Sequence, residues 1–213
     1  MRRAVFLDRD GVICQNRHDY VKSWQEFAFL PGAPEAVARL ARSDLQIVIV
    51  TNQSAINRHL ISASIVEDIH RRMVRAINRA GGRVDLVTYC PHRPDEACGC
   101  RKPRPGLLVR AAQELQLDLG RSYLVGDAAS DVLAGKAVGC RSYRVLTGRG
   151  VAELPRCCTN GGSGFSVAND LSMAVDDILR HEQQLLHRVG FAGREQGLEL
   201  SGSRTKTGWD RPP

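Results

Sequence analysis

Short apolar runs recur along the first 150 residues of the chain, and most of them are hydrophobic at consecutive positions rather than at every second one. A strand that is apolar on both faces fits a sheet that is covered on both sides. The pattern therefore predicts a buried, mainly parallel sheet. Its predicted strands are residues 4–8, 46–51, 85–90, 122–127 and 142–146.

Amphipathic stretches with helical spacing lie between these strands, at residues 33–43, 63–82, 105–117 and 129–140. Strands that alternate with helices predict a doubly wound α/β fold of the Rossmann-like type. In such folds ligands bind beyond the carboxyl ends of the strands, near the point where the strand order reverses. We therefore expect the functional residues in the loops that follow the strands.

The periodic pattern weakens beyond about residue 150. Residues 157–166 read as a loop, and residues 171–189 read as a last helix. The polar, glycine-containing composition of residues 191–213 predicts a disordered tail. We therefore expect a single domain over residues 1–190, followed by that tail.

Composition narrows the classes of protein that fit. No run approaches the roughly 18 apolar residues of a membrane span, and the apolar run near the N-terminus is too short for a signal peptide. We therefore expect a cytoplasmic monomer with no membrane partner. The net charge of +7 favours an anionic ligand, but the aromatic content of 5% is thin for single-strand nucleic-acid binding. A phosphorylated small molecule fits better than a nucleic acid.

Two carboxylates follow the first predicted strand, in the sequence DRDG, and Gly11 allows the backbone to bend directly after them. Asp127 and Asp131, in GDAASD after the fourth strand, add two further carboxylates. Oxygen ligands of this kind suit a hard cation such as Mg²⁺. Alone, the Asp8 and Asp10 pair could equally be a charged turn that closes a strand.

Three further motifs accompany DRDG, namely VTNQS, CRKPRPG and VGDAASD. Together the four are similar to the motif set of the haloacid dehalogenase superfamily of phosphotransferases, over roughly residues 4–150. The resemblance implies that Asp8 is the nucleophile that forms an aspartyl-phosphate. It also implies that Asp10 is the general acid and base.

The same resemblance assigns the remaining parts of a phosphatase site. Thr51 would hold phosphate oxygens, and Lys102 would neutralise the phosphate and the Asp8 carboxylate. Catalytic Mg²⁺ would be bound by Asp8, the backbone carbonyl of Asp10 and Asp127, with Asp131 in support. Phosphoryl transfer depends mainly on positioning and on cancelling charge, so these are the parts that the chemistry requires.

A cluster of cysteines and one histidine lies in YCPHRPDEACGCRKP. Cys90, His92, Cys98 and Cys100 would complete a tetrahedral Zn²⁺ site with no open position, which is how structural zinc is held. Scattered free thiols beside a loop histidine are the alternative. The pattern predicts a short zinc-binding loop over residues 90–101 that leads directly to Lys102.

Within the superfamily, this loop resembles a subgroup that comprises D-glycero-D-manno-heptose 1,7-bisphosphate 7-phosphatases and histidinol-phosphate phosphatases. Residues 19–33, 51–58 and 102–106 are more similar to the heptose enzymes. The resemblance therefore implies removal of the C7 phosphate from a heptose bisphosphate. The residues that would bind this substrate are Asn52, Ser54, Arg58, Arg101 and Lys102.

Two positions depart from the pattern of these relatives. Sugar-phosphate members often carry a lysine or arginine where this chain has Ala128, and the heptose enzymes favour glycine where it has Ala55. The five-residue gap of the zinc loop does not separate the heptose enzymes from histidinol-phosphate phosphatases, so the latter stay an alternative. Ala128 keeps a broad small-phosphate scavenger open, and the basic net charge keeps a non-catalytic nucleic-acid-binding zinc module open. No long insertion separates Asp8 from Thr51, so we expect no large cap domain and an open site.

Overall fold

The computed structural model describes residues 1–153 and 164–199, of which residues 188–199 are described by their backbone alone. In these ranges six strands form one sheet in the order β3-β2-β1-β4-β5-β6, and all neighbouring strands are parallel. The strands are β1 (Ala4–Leu7), β2 (Gln46–Asn52), β3 (Leu86–Cys90), β4 (Tyr123–Gly126), β5 (Arg141–Val145) and β6 (Phe165–Ala168). The predicted parallel α/β sheet is confirmed.

Helices connect the strands as the amphipathic pattern predicts. They are α1 (Ala33–Leu40), α2 (Ala63–Arg79), α3 (Gly106–Leu115), α4 (Ala129–Ala137) and α5 (Leu171–Glu199). Ser62 caps α2 by accepting a hydrogen bond from the Ile65 N–H at 3.3 Å, and Pro34 in the first turn of α1 loses no helical hydrogen bond. Short 3₁₀ turns occur at Trp24–Glu26, Pro94–Glu96 and Leu119–Arg121.

The centre of the sheet fixes the position of the functional loops. All four residues of β1 are completely buried, and β1 lies between β2 and β4. The chain runs outward from β1 toward β3 on one side and toward β6 on the other. The strand order therefore reverses at β1, so its carboxyl end opens into the crevice where ligands bind in such sheets.

One strand differs from the prediction. Residues 157–166 read as a loop, but Phe165 and Ser166 begin β6, which pairs with β5. This edge strand has only four residues and a mostly half-exposed surface, so it lacks the continuous apolar run that marks the buried strands. Cys157 and Cys158 lie outside the described residues.

The chain divides into two compact units, Met1–Asp177 and Ile178–Pro213. The second contains the continuation of α5, whose backbone stays helical through Glu199. The predicted domain boundary at residue 190 stays a prediction, and residues 200–213 of the predicted tail lie outside the described residues. No helix in the described part of the chain is both long and apolar enough to cross a membrane.

The two connections that could carry a cap domain contain little regular secondary structure. Residues 8–32 contain one 3₁₀ turn, and residues 91–105 contain another. Within the described residues neither connection builds a separate domain, as expected from the sequence. The carboxyl end of the sheet is therefore open to solvent on the side where these two connections lie.

Candidate active site

Three strands deliver polar residues to one edge of the sheet. Asp8 follows β1, Thr51 lies next to the last residue of β2, and Asp127 follows β4. Because the strands are parallel neighbours, their carboxyl ends meet at the same place. Side chains that are 119 residues apart in the sequence therefore share one site.

Asp8, Asp127 and Asp131 form a buried carboxylate cluster in which one oxygen of each lies within 4.8 Å of the others. Burial raises the pKa of Asp8 to about 7, and although Lys102 opposes this, Asp131 and Asp127 add to it. Burial and the neighbouring Asp131 raise the pKa of Asp127 to about 6. The cluster carries more negative charge than its surroundings cancel, so it suits a cation.

The donor set also fits a hard divalent cation. The Oδ1 atom of Asp127 is buried and finds no hydrogen-bond donor among the described residues, although its Oδ2 atom accepts the Arg149 N–H at 2.8 Å. An unpaired buried carboxylate oxygen is costly unless something binds it. Carboxylate oxygens at this spacing are what Mg²⁺ or a similar ion binds.

Lys102 is the cation of this cluster, and its side chain is only 1% exposed. Its Nζ lies 3.0 Å from Asp8 Oδ1 and 2.5 Å from Asp131 Oδ1, and it donates to the Val50 carbonyl at 2.8 Å. Burial lowers the pKa of Lys102, but the carboxylates of Asp131 and Asp8 outweigh this and raise it overall. The lysine therefore stays charged and holds the nucleophile in place.

Asn52 makes contacts within the protein in addition to its predicted contact with the substrate. Its Nδ2 donates to the Lys102 carbonyl and its Oδ1 accepts the Lys102 N–H, both at 3.1 Å. The carboxamide therefore fixes the backbone of Lys102, although Asn52 also lines the cavity. Its predicted contact with the substrate stays a prediction.

Asp10 is held by two residues that the sequence analysis did not identify. The guanidinium of Arg9, which is 1% exposed, contacts both carboxylate oxygens of Asp10 at 2.9 Å, and Gln53 Nε2 donates to Oδ2 at 2.8 Å. Burial raises the pKa of Asp10, but Arg9 and Gln53 outweigh it, so the net shift is downward. His70 on α2 supports the far side of Arg9 at 3.1 Å.

The loop after β5 packs against Gly11 and Asp127 at the site. Thr147 Oγ1 donates to the Gly11 carbonyl at 2.6 Å, and a Cβ atom at Gly148 would overlap both Asp127 Oδ2 and the backbone of Gly11. No local motif marks this loop, because its contact with Gly11 joins residues that are 136 positions apart. The close approach requires glycine at residues 11 and 148.

Replacing Gly148 with Ala should therefore lower the free energy of unfolding by about 2–4 kcal/mol, because the new Cβ overlaps a buried carboxylate at a backbone φ of +57°. Gly81→Ala is the matched control, since Gly81 has a φ of +84° but a Cβ atom added there would meet nothing within 4 Å. Urea unfolding of both variants separates the free-energy cost of backbone strain from the cost of the steric overlap. Equal losses in the two variants would contradict the packing role.

The predicted zinc ligands come together. The Sγ atoms of Cys90, Cys98 and Cys100 lie 3.3–3.6 Å apart, and His92 Nδ1 lies 3.3–3.4 Å from two of them. Sulfur ligands of a tetrahedral zinc with bonds of about 2.3 Å would be about 3.8 Å apart, and those of a disulfide about 2 Å. The spacing fits a shared metal ion far better than it fits a disulfide.

An open cavity of about 490 Å³ lies above Asp8. Of the residues predicted to bind substrate, Asn52, Ser54, Arg101 and Lys102 line it, together with Thr51. Arg58 is exposed and is not among the lining residues, so its predicted role stays a prediction. Six lining residues from the loop after β1 were not predicted, namely Arg9, Asn16, Arg17, His18, Tyr20 and Val21.

Comparison with known proteins places the chain among phosphatases. A family sequence model described as HAD-hydrolase-like matches residues 99–174. The D-glycero-β-D-manno-heptose-1,7-bisphosphate 7-phosphatase of Pseudomonas aeruginosa is 39% identical over 179 residues, which cover 84% of this chain and 99% of that protein. These matches agree with the predicted superfamily.

Solved structures agree with the sequence relatives. The D,D-heptose 1,7-bisphosphate phosphatase of B. bronchiseptica, crystallised with magnesium and phosphate, is 38% identical with a TM-score of 0.77. That of Burkholderia thailandensis is 33% identical with a TM-score of 0.63. Each comparison covers 84% of this chain and 99% of the other. The chain belongs to the family of the D-glycero-β-D-manno-heptose-1,7-bisphosphate 7-phosphatases, within the haloacid dehalogenase-like hydrolases.

Proposed function

We propose that the protein is a Mg²⁺-dependent phosphatase that removes the C7 phosphate of D-glycero-D-manno-heptose 1,7-bisphosphate. The observation that carries this proposal is the buried cluster of Asp8, Lys102, Asp127 and Asp131 at the floor of an open cavity. The names of the relatives support the choice of substrate. The cavity is wide enough for a phosphorylated sugar.

The first step transfers the phosphoryl group to the protein. An oxygen of Asp8 attacks phosphorus while the bond from phosphorus to the C7 oxygen breaks. The negative charge of the arriving phosphate opposes the downward shift of the Asp10 pKa, so Asp10 binds a proton in the substrate complex and gives it to the departing alkoxide. Lys102 holds Asp8 and cancels charge that develops on the equatorial oxygens. Bound Mg²⁺, held by Asp8, the Asp10 carbonyl and Asp127, would supply further charge compensation.

The second step regenerates the carboxylate of Asp8. Asp10, now ionised, accepts a proton from water as the water oxygen attacks phosphorus, and the bond from phosphorus to Asp8 breaks to release inorganic phosphate. Arg9 and Gln53 hold Asp10 in position for both proton transfers. Thr51, which lines the cavity beside Asp8, would hold a phosphate oxygen.

A comparison of substrates tests the proposed function. We expect kcat/KM for the heptose bisphosphate to exceed that for histidinol phosphate by at least about 100-fold, because only the bisphosphate offers a second anion to the basic cavity. Steady-state phosphate release with Mg²⁺ present measures both values. Preference for histidinol phosphate, or salt-sensitive nucleic-acid binding without turnover, would overturn the proposal.

We also propose that Cys90, His92, Cys98 and Cys100 bind a structural Zn²⁺. The closeness of the four ligand atoms supports it. Asn57 Nδ2 additionally donates to the Glu96 carboxylate at 2.9 Å, which joins the loop over residues 90–101 to the segment after β2. The zinc would fix the backbone that leads from Cys100 to Lys102.

Replacing Cys98 with Ser should reduce bound zinc from one equivalent per chain to less than about 0.3 and lower the Tm by about 5–10 °C, because a closed site loses one thiolate ligand. Metal analysis of the purified protein and a thermal scan measure the two effects. Cys140→Ala is the control, since Cys140 is a buried cysteine outside the cluster and should leave the zinc content unchanged. Zinc retained at one equivalent in Cys98→Ser would contradict the assignment.

A further inference from the structure

The cations that line the cavity differ in whether a carboxylate already neutralises them. Lys102 contacts Asp8 and Asp131, and Arg9 contacts Asp10. Arg17 makes two hydrogen bonds of 3.1 Å to Asp19. The charges of these three side chains are therefore largely committed within the protein. Arg101, which also lines the cavity, is held by a backbone carbonyl instead, since its Nη1 donates to the oxygen of His92 at 3.1 Å.

Arg149 is different. Its nearest carboxylate among the described residues is Asp127, at 3.7 Å from Nε, which is an ion pair without a hydrogen bond. Burial lowers the pKa of Arg149, but the carboxylates of Asp127 and Glu153 outweigh this and raise it, so the guanidinium stays charged. It offers a forked set of N–H donors that suits a phosphate.

The depth of Arg149 shows which part of a ligand it can meet. The side chain of Lys102 is 1% exposed and that of Asp8 is 8% exposed, so the reacting phosphate lies at the cavity floor. The side chain of Arg149 is 50% exposed, although it lines the same cavity. Its Nε lies 3.7 Å from the buried Asp127 carboxylate, so the exposed end of the guanidinium extends from the edge of the carboxylate cluster toward the cavity opening, where the part of the ligand beyond the reacting phosphate lies.

The backbone of Arg149 is fixed although its side chain is half exposed. Its N–H is bound to Asp127 Oδ2, and the buried guanidinium of Arg144 donates to the carbonyls of Asp127 and Gly150, at 3.1 and 3.2 Å. The backbone of Arg149 and that of Gly150 are therefore both tied to the loop that carries Asp127. A side chain that starts from a fixed backbone loses less freedom when it binds.

The cavity wall near Asp127 includes two residues that are not cations. Ala128 lines it and is apolar, and Glu153, whose Oε2 accepts the Ala129 N–H at 3.0 Å, adds a negative charge. A lysine or arginine at residue 128 is what the sequence pattern of sugar-phosphate members led us to expect. Arg149 supplies a cation to this wall from a different loop.

We propose that Arg149 binds the substrate phosphate that is not cleaved and so selects bisphosphorylated sugars over monophosphorylated ones. This inference rests on the proposed function, since a second phosphate exists only in a bisphosphate. It makes Arg149 a residue that determines specificity. The reacting phosphate is left to Asp8, Lys102 and Thr51.

Arg149→Met tests the proposal with two substrates, heptose 1,7-bisphosphate and heptose 7-phosphate. On the bisphosphate we expect kcat/KM to fall about 30-fold or more, mainly through KM, because a charge-assisted phosphate contact is lost. On the 7-phosphate the change should be less than about threefold, since that substrate lacks the second anion. Arg149→Lys should recover part of the loss, because it restores the charge without the fork.

A second measurement covers the case in which the 7-phosphate turns over too slowly. The product, heptose 1-phosphate, retains only the phosphate assigned to Arg149, so its competitive inhibition constant should rise about 10-fold or more in Arg149→Met. Arg110→Met, which removes an exposed arginine of α3 that does not line the cavity, should change neither quantity. Thermal unfolding checks that each variant is folded.

The possible outcomes separate the two proposals. Equal losses on both substrates, or no loss on the bisphosphate, would overturn the role of Arg149 while the wild-type activity still stands. A wild-type protein that does not hydrolyse the bisphosphate would instead overturn the proposed function. An unchanged inhibition constant for heptose 1-phosphate would also count against Arg149.

Discussion

Replacing Asp8 with Asn should lower kcat on the heptose bisphosphate by roughly 10⁴-fold or more, because a carboxamide cannot form the phosphoryl-enzyme. The substitution keeps the shape of the side chain and removes one of three clustered carboxylates. Phosphate release under single-turnover conditions measures the loss. Activity of Asp8→Asn near the wild-type rate would rule out the proposed nucleophile.

The stability of Asp8→Asn distinguishes lost chemistry from lost structure. In protein without Mg²⁺, burial raises the pKa of Asp8 from 3.8 to about 7. The folded protein therefore binds a proton that the unfolded chain releases, and the wild type loses stability as the pH rises from about 4 to about 7. Asp8→Asn lacks that loss, so at pH 8 it should be as stable as the wild type or more stable.

Asp10→Asn is the matched control, since it should also lose activity but should respond oppositely in stability. Burial raises the pKa of Asp10, yet Arg9 and Gln53 lower it overall, so the ionised form stabilises the fold above its ordinary pKa. The Asn variant weakens the ion pair with the buried Arg9. Urea unfolding at pH 8 should therefore show a loss in Asp10→Asn and none in Asp8→Asn, and a loss of equal size in both would contradict this account.

Replacing Lys102 with Met should affect both activity and stability. The buried carboxylates of Asp8 and Asp131 lose their shared counter-charge, so we expect the free energy of unfolding at pH 8 to fall by about 3–5 kcal/mol. The value of kcat/KM should fall by at least about 10³-fold, because charge on the transferring phosphoryl group is no longer cancelled. Enzyme assays and urea unfolding measure the two effects.

The stability loss in Lys102→Met should depend on pH. Without the lysine, the pKa of Asp8 rises further, so acidification protonates Asp8 and removes one of the unpaired charges. Unfolding without Mg²⁺ should therefore show a smaller loss at pH 5.5 than at pH 8. Lys136 is an exposed lysine on α4, so Lys136→Met should show little loss of stability at either pH. A stability loss in Lys102→Met that is the same at both pH values would contradict the charge argument.

Residues at strand ends could be predicted from the sequence, because an apolar run followed by a polar motif marks where a parallel strand ends. The structure places Asp8, Thr51 and Asp127 at the same carboxyl end of the sheet for that reason. The cysteine and histidine ligands were equally visible, since their spacing within one loop limits the geometry. Both sets depend on local sequence.

The partners of those residues could not be predicted in the same way. Arg9 is an arginine between two aspartates, which reads as a solvated side chain, yet it is buried against Asp10 and His70. His70 is 61 residues away in the sequence, and no local pattern connects the two. The role of Gly148 depends likewise on a tertiary contact with residue 11. Long-range packing decides these roles.

The central position of β1 has a consequence for the order of assembly during synthesis. A nascent chain that has emerged as far as β3 can pair β1 with β2 and β3, but β4 and the carboxylates that follow it are still missing. The other flank of β1 stays unpaired until about residue 126 has left the ribosome. The carboxylate cluster is therefore completed late, when the second half of the sheet docks against the first of the described strands.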